Sequence, residues 1–340
     1  MQLGVLVIFA FKKKILLIIA ALVLLAVCGA YSLNYYLFEH DPLNSWFRET
    51  YPAKSSVKLK GIPRAPKLCR RWQPAEIVAD VTKERPELSG LEISATVPDT
   101  AYQINDSGHE PFLYISDLKG QVKAKVRYAK DVVDPEDISL GPCLTNSASS
   151  CIYVGDIGDN FRRRRVKQIY FQEESRLDNE KSFQKLSFYY PNKKRVDSET
   201  LMVHPVTGDI YLVTKGPRSY VFKLAAATVN NLNETHEAQF VMRLSWFWWA
   251  AGGDITHDGR SFVLISDNIY HFRLDLNAVT NVVGRLSGGL RVRIPSQRFR
   301  QQEAIAFQTP INHKQGGVLY YGTEERGSDP AQVAKLSCAP

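Results

Sequence analysis

Five carboxylates recur along this 340-residue chain in a shared local setting. They are Glu92 in SGLEIS, Glu136 in DPEDIS, Glu199 in DSETLM, Asp254 in GGDITH and Glu303 in QQEAIA, at intervals of 44, 63, 55 and 49 residues. Each precedes a short apolar run, a turn and a second β-rich run. The second runs end near further polar residues: Asp106 in NDSG, Asp156 in GDIGDN, Lys215, Asp267 and Glu324. Acids gathered at one place raise one another's pKa unless a cation sits among them. Hard oxygen donors converging from several strands suit Ca2+, or Mg2+ with retained waters. The expected metal ligands are therefore Glu92, Glu136, Glu199, Asp254, Glu303, Asp106 and Asp156, with Ca2+ as the expected ion. The spacing picks out no catalytic residue. Ser107 has no GxSxG elbow around it, and there is no P-loop, GxGxxG, HExxH or zinc-type Cys/His spacing.

A supersecondary unit repeated every 40–50 residues or so is the signature of a propeller. The runs between the acids are rich in Val, Ile, Tyr and Phe, often alternate apolar with polar residues, and are punctuated by Gly, Pro, Asn and Asp. This predicts an all-β fold of four-stranded blades. In each blade the innermost strand lines the channel and the second runs antiparallel beside it, so innermost-strand starts and second-strand ends share one mouth. Five units are readable and the last lacks a fourth strand, so a five-bladed β-propeller is expected, with six blades as the alternative. Ala75–Val81 is expected to pair with Val333–Cys338 and close the ring, which also removes an exposed edge.

The organisation predicted is 1–33, a signal peptide or membrane anchor; 34–74, a basic linker; and 75–340, the propeller domain. Lys12–Lys14 precede an uncharged run from Ile15 to Leu33, a pattern that directs the downstream chain out of the cytoplasm. LAVC at Leu25–Cys28 resembles a lipoprotein box. The expected location is extracytoplasmic, membrane-anchored or secreted, and periplasmic in a Gram-negative source. An even count of four cysteines in an exported domain reads as two disulfides, Cys69–Cys338 across the closed ring and Cys143–Cys151 around a short loop. Net charge is +8. Three of those charges sit in Lys12–Lys14 and seven more basic residues, without an acid, lie in Lys54–Arg71. The expected partners are the membrane, through the N-terminal segment, and a protein or polyanion; no specific nucleic acid and a monomeric state are expected.

The strings NDSG, DPEDI, VGDIGDN and DSE followed by LVTK resemble a group of exported bacterial β-propeller-like proteins of uncharacterised function. The resemblance is strongest over Ser89–Leu224. More loosely, an acid in each of five blades resembles calcium-dependent apyrase-type nucleotidases and phytase-type propellers, and that likeness implies calcium in or near the channel. The functional expectation is a binding or scaffold module with a divalent cation at the acidic mouth. The alternative is a metal-dependent hydrolase of a phosphoester or glycan using the same mouth. The sequence leaves open whether the chain is an enzyme.

Overall fold

The computed structural model describes Cys69 and residues 71–339, apart from 178–182, 217, 230, 245–248, 274–284, 287–290, 295–300 and 309–316. The N-terminal segment, its lysines and most of the basic linker lie outside the described residues. Among the described residues no helix is long and apolar enough to cross a membrane.

Two short strands come first, β1 (Arg71–Trp72) and β2 (Glu76–Asp80). The first blade is β3 (Leu88–Ile93), β4 (Ala101–Asn105), β5 (Phe112–Ser116) and β6 (Val122–Arg127). The second is β7 (Pro135–Pro142), β8 (Ser150–Asp156), β9 (Lys167–Glu173) and β10 (Gln184–Tyr189). The third begins with β11 (Ser198–Val203), β12 (Ile210–Thr214) and β13 (Tyr220–Leu224). Then β14 (Thr235–Glu237) joins the second blade parallel to β10, and β15 (Gln239–Leu244) completes the third. The fourth is β16 (Gly252–Ile255), β17 (Ser261–Ile265), β18 (Ile269–Arg273) and β20 (Arg291–Ile294), while β19 (Arg285–Leu286) runs parallel to β15. The fifth is β21 (Gln302–Phe307), β22 (Gly317–Thr323) and β23 (Gln332–Ala339).

Its fourth strand comes from the start of the domain: β2 pairs antiparallel with β23, from Glu76 opposite Lys335 to Asp80 opposite Gln332. The expected ring closure is therefore found, and the blade count is five. Both expected disulfides are present, Cys69–Cys338 and Cys143–Cys151.

The core consists of wedges between neighbouring blades, as alternating strands facing another sheet require. Met202, Val213, Ile255 and Phe262 fill the wedge between the third and fourth blades. Val263, Ile305, Phe307 and Tyr321 fill the next. Leu88, Leu91, Ala304 and Tyr320 join the last blade to the first, and Ile104, Ile138, Ile152 and Val154 join the first to the second. Between the second and third, Tyr190 meets Phe222 edge-on with centroids 4.8 Å apart. Near the axis the innermost strands crowd one another. A Cβ on Gly252 would lie 2.3 Å from the Glu303 carbonyl oxygen, so only glycine fits.

Candidate metal centre

Four of the five innermost strands carry a register shift at their second residue. It falls between Leu88 and Gly90, Pro135 and Asp137, Ser198 and Thr200, and Gln302 and Ala304. A bulge of this kind leaves one residue unpaired in the ladder and re-aims its side chain. The bulged residues are Ser89, Glu136, Glu199 and Glu303. Three acids expected at one mouth are thus presented there by the same backbone device. Second-strand ends come to the same face, with Asp106 and Lys215 just past β4 and β12 and Asp156 at the end of β8.

Glu92 and Asp254 correct the expected alignment. Glu92 is the fifth residue of β3, not its start, and the first blade offers Ser89 at the bulge, with its hydroxyl donating to the Glu136 carbonyl oxygen at 2.5 Å. Asp254 is the third residue of β16, which carries no register shift. Both acids work as clips between blades. Glu92 accepts the N–H of Ile93 at 2.9 Å and that of Leu140 in the next blade at 3.2 Å. Asp254 accepts from Ile255 at 2.6 Å and from Phe307 in the next blade at 2.8 Å. Asp137 repeats the arrangement with Ile138 and Leu201, at 2.9 and 3.0 Å. Burial, followed by the Asp254 charge, pushes the Glu92 carboxyl well above its ordinary range. Burial raises Asp254 to about 7.

At the mouth, carboxyl oxygens of Asp106, Asp134 and Glu136 lie within 4.8 Å of one another, and so do those of Glu136, Asp197 and Glu199. Glu136 is 1% exposed and its Oε1 has no hydrogen-bond partner; Glu199 Oε1 and Glu303 Oε2 are likewise buried without one. Lys215 supplies a counter-charge, with Nζ 2.6 Å from Glu199 Oε2. Burial pulls the Lys215 ammonium down, but Glu199, Glu303 and Glu136 outweigh it and hold its pKa above the usual lysine value. Burial, then the Glu199 charge, lifts Glu136 well above the carboxylate range. Burial also lifts Glu199 against the pull of Lys215, takes Glu303 to about 8 and takes Asp106 to about 7. Burial and neighbouring acids thus make ionisation of Glu136, Glu199, Glu303 and Asp106 costly, a cost that a cation offsets.

The GDIGDN loop is used differently from expectation. Asp156 accepts the N–H groups of Val133 and Asp134 and is clasped by the Arg164 guanidinium at 2.6 Å. Asp159 accepts the Arg163 and Arg164 N–H groups at 2.6 and 2.8 Å and pairs with buried Lys167 at 3.2 Å. Asp156 is thus committed to Arg164 and stands outside both carboxylate triads. Gly158 between them matters for space: a Cβ there would lie 2.0 Å from Glu136 Oε1 and 2.6 Å from Asp134 Oδ2.

No protein-family model matches this chain, and no curated protein matches it. Among solved structures it is similar to Kuenenia stuttgartiensis hydrazine synthase, with a TM-score of 0.40 and 15% identity over 74% of this chain and 63% of that one. The chain thus spans less than two thirds of that structure's length. It is also similar to a chain of a nidogen/laminin complex, with a TM-score of 0.41 and 13% identity over 69% of this chain and 72% of that one. Likeness at this level carries no argument about function.

Sequence reasoning missed Asp134 and Asp197. The available signal was a repeated D-x-E, Asp134-Pro135-Glu136 and Asp197-Ser198-Glu199, 63 residues apart. The first acid precedes the innermost strand and the second is the bulged residue. His204, in a turn that suggests a solvated side chain, is instead buried. Its Nδ1 accepts the N–H groups of Val206 and Thr207, which leaves Nε2–H to donate to Gly259 of the next blade at 3.1 Å.

A cavity of about 250 Å3 opens where the innermost strands end, at the other mouth. Glu92, Leu140, Pro142, Val203, Asp254 and His257 are among the residues lining it, and the Cys143–Cys151 hairpin contributes Ser147–Ser150.

Proposed function

We propose that this chain is an exported five-bladed propeller that acts as a binding module and holds a divalent cation at the Glu136–Glu199 mouth of its channel. The observation that carries this reading is Glu136 Oε1, a carboxylate oxygen buried without a partner inside two carboxylate triads. An unpaired buried acid is costly, and a bound cation removes the cost. The donors are all oxygen, which favours Ca2+ over softer transition metals. Two disulfides fit an oxidising compartment outside the cytoplasm. The Lys12–Lys14 cluster ahead of Ile15–Leu33 supports delivery to, and attachment at, a membrane.

A ligand that binds only the folded state raises its stability by mass action. Millimolar CaCl2 should raise the melting temperature relative to a chelator. Glu136→Gln and Glu199→Gln should shrink that rise, because charge is lost while shape is kept. Glu173→Gln, on β9 and paired with Arg176, should leave it unchanged. If Ca2+, Mg2+ and Mn2+ all leave the wild-type melting temperature where a chelator puts it, the acids are structural and the reading fails.

A further inference from the structure

We infer that the acidic mouth is a two-ion centre in which Glu136 bridges a pair of divalent cations. This rests on the cation reading above and makes it specific. Two oxygens bound to one Ca2+ at about 2.3–2.6 Å cannot be more than about 5 Å apart. Asp106, Asp134 and Glu136 satisfy that span as one set, and Glu136, Asp197 and Glu199 satisfy it as another. The five do not merge into a single set, and Glu136 is the member that both share. One ion therefore serves one set, and a second is needed for the other. A carboxylate shared in this way is how paired ions about 3.5–4 Å apart are held.

The surroundings fit. Glu136 is 1% exposed, and its unpartnered Oε1 lies where a Cβ on residue 158 would collide with it. That position is Gly158, whose missing Cβ lets Glu136 Oε1 and Asp134 Oδ2 pack side by side against the backbone. Each set also has one member fixed by a backbone amide. Asp106 Oδ1 accepts the Ser107 N–H, and Asp197 Oδ1 accepts the Asp159 N–H at 2.7 Å. Charge points the same way. When ionised, Glu136, Glu199, Glu303 and Asp197 all face the Lys215 ammonium, and Asp197 also faces Lys167, so acids outnumber ammonium groups at the mouth.

Native mass spectrometry and calorimetric titration of the full chain with CaCl2 should count two ions per chain. Asp106→Asn should abolish one and Asp197→Asn the other, while Glu136→Gln weakens both by about 100-fold or more. With Mn2+ as the probe, electron paramagnetic resonance should give a spin-coupled pair in the wild type and an isolated-ion spectrum in Asp106→Asn and in Asp197→Asn. Circular dichroism checks that each variant is folded, and the two Asn variants carry the test if Glu136→Gln does not fold. A single ion lost equally in Asp106→Asn and Asp197→Asn overturns the pair but leaves the cation reading standing. No bound ion at all overturns both.

Discussion

Lys215 Nζ stands 2.6 Å from Oε2 of Glu199, while Oε1 of the same buried carboxylate accepts no hydrogen bond. One half of Glu199 is therefore neutralised by the protein itself and the other is left for something else. Lys215→Met should lower the stability of the metal-free protein by roughly 2 kcal/mol. That is below the usual figure for breaking a buried pair, because the Lys215 side chain is 27% exposed. Saturating Ca2+ should recover most of the loss, since the ion takes over the counter-charge. Urea denaturation with and without Ca2+ measures both; an equal loss in the two conditions would mean that no ion reaches Glu199.

The sign of the pKa shifts sets the pH dependence. Unfolded carboxyls titrate near 4. In the fold Glu303 is held to about 8, Asp106 to about 7, and Glu136 and Glu199 well above their ordinary value. Between about pH 4 and 8 the folded state thus binds more protons than the unfolded state, so metal-free stability falls as pH rises through that window. Wild type should lose ground to Glu136→Gln between pH 5 and 8.5 in chelator. Ca2+ binding should release protons at pH 6.5 and fewer at pH 9, as calorimetry in buffers of different ionisation enthalpy would read.

Gly158→Ala tests the space rather than the charge. A methyl group there meets Glu136 Oε1 and Asp134 Oδ2 inside van der Waals contact. Overpacking of this kind costs about 1–3 kcal/mol, and the Ca2+-dependent rise in melting temperature should largely vanish. A full calcium response in Gly158→Ala would place the ion elsewhere.

Clip and ligand acids can be told apart. Glu92→Leu leaves the buried N–H groups of Ile93 and Leu140 without their acceptor, at about 1–3 kcal/mol for each unsatisfied group. Its calcium response should nevertheless match the wild type, because Glu92 lies toward the other mouth. Loss of the calcium response without loss of stability would reverse the assignment.

The two disulfides should contribute unequally. Their sequence separations are 269 and 8 residues. On the chain-entropy account the first is worth roughly 5 kcal/mol and the second roughly half of that. Chemical denaturation of Cys69→Ser/Cys338→Ser and Cys143→Ser/Cys151→Ser variants should rank them in that order.

Blade number, ring closure and both disulfides were legible because each leaves a long-period mark: a strand pattern repeated, a strand missing at one end, cysteines at matching places. The acids were only half legible. An extra residue in a strand changes which side chain faces the mouth without changing composition, so SGLEIS and DPEDIS look alike although Glu92 and Glu136 face different tasks. The bulge at Ser89 has no acid to announce it. Asp134 and Asp197 stand just ahead of their strands, where an acid reads as turn chemistry. Asp137, next to Glu136, reads as one more acid, although it holds the N–H of Leu201 in the next blade.

The clasp of β2 on β23 also sets an order of events at the ribosome. Asp80 emerges 252 residues before its partner Gln332, an interval on the order of 10–50 s at ordinary synthesis rates. Throughout that wait the edge of β2 and the thiol of Cys69 are without their native mates. The ring therefore closes only once β23 is made, because that strand carries both the partner of β2 and Cys338.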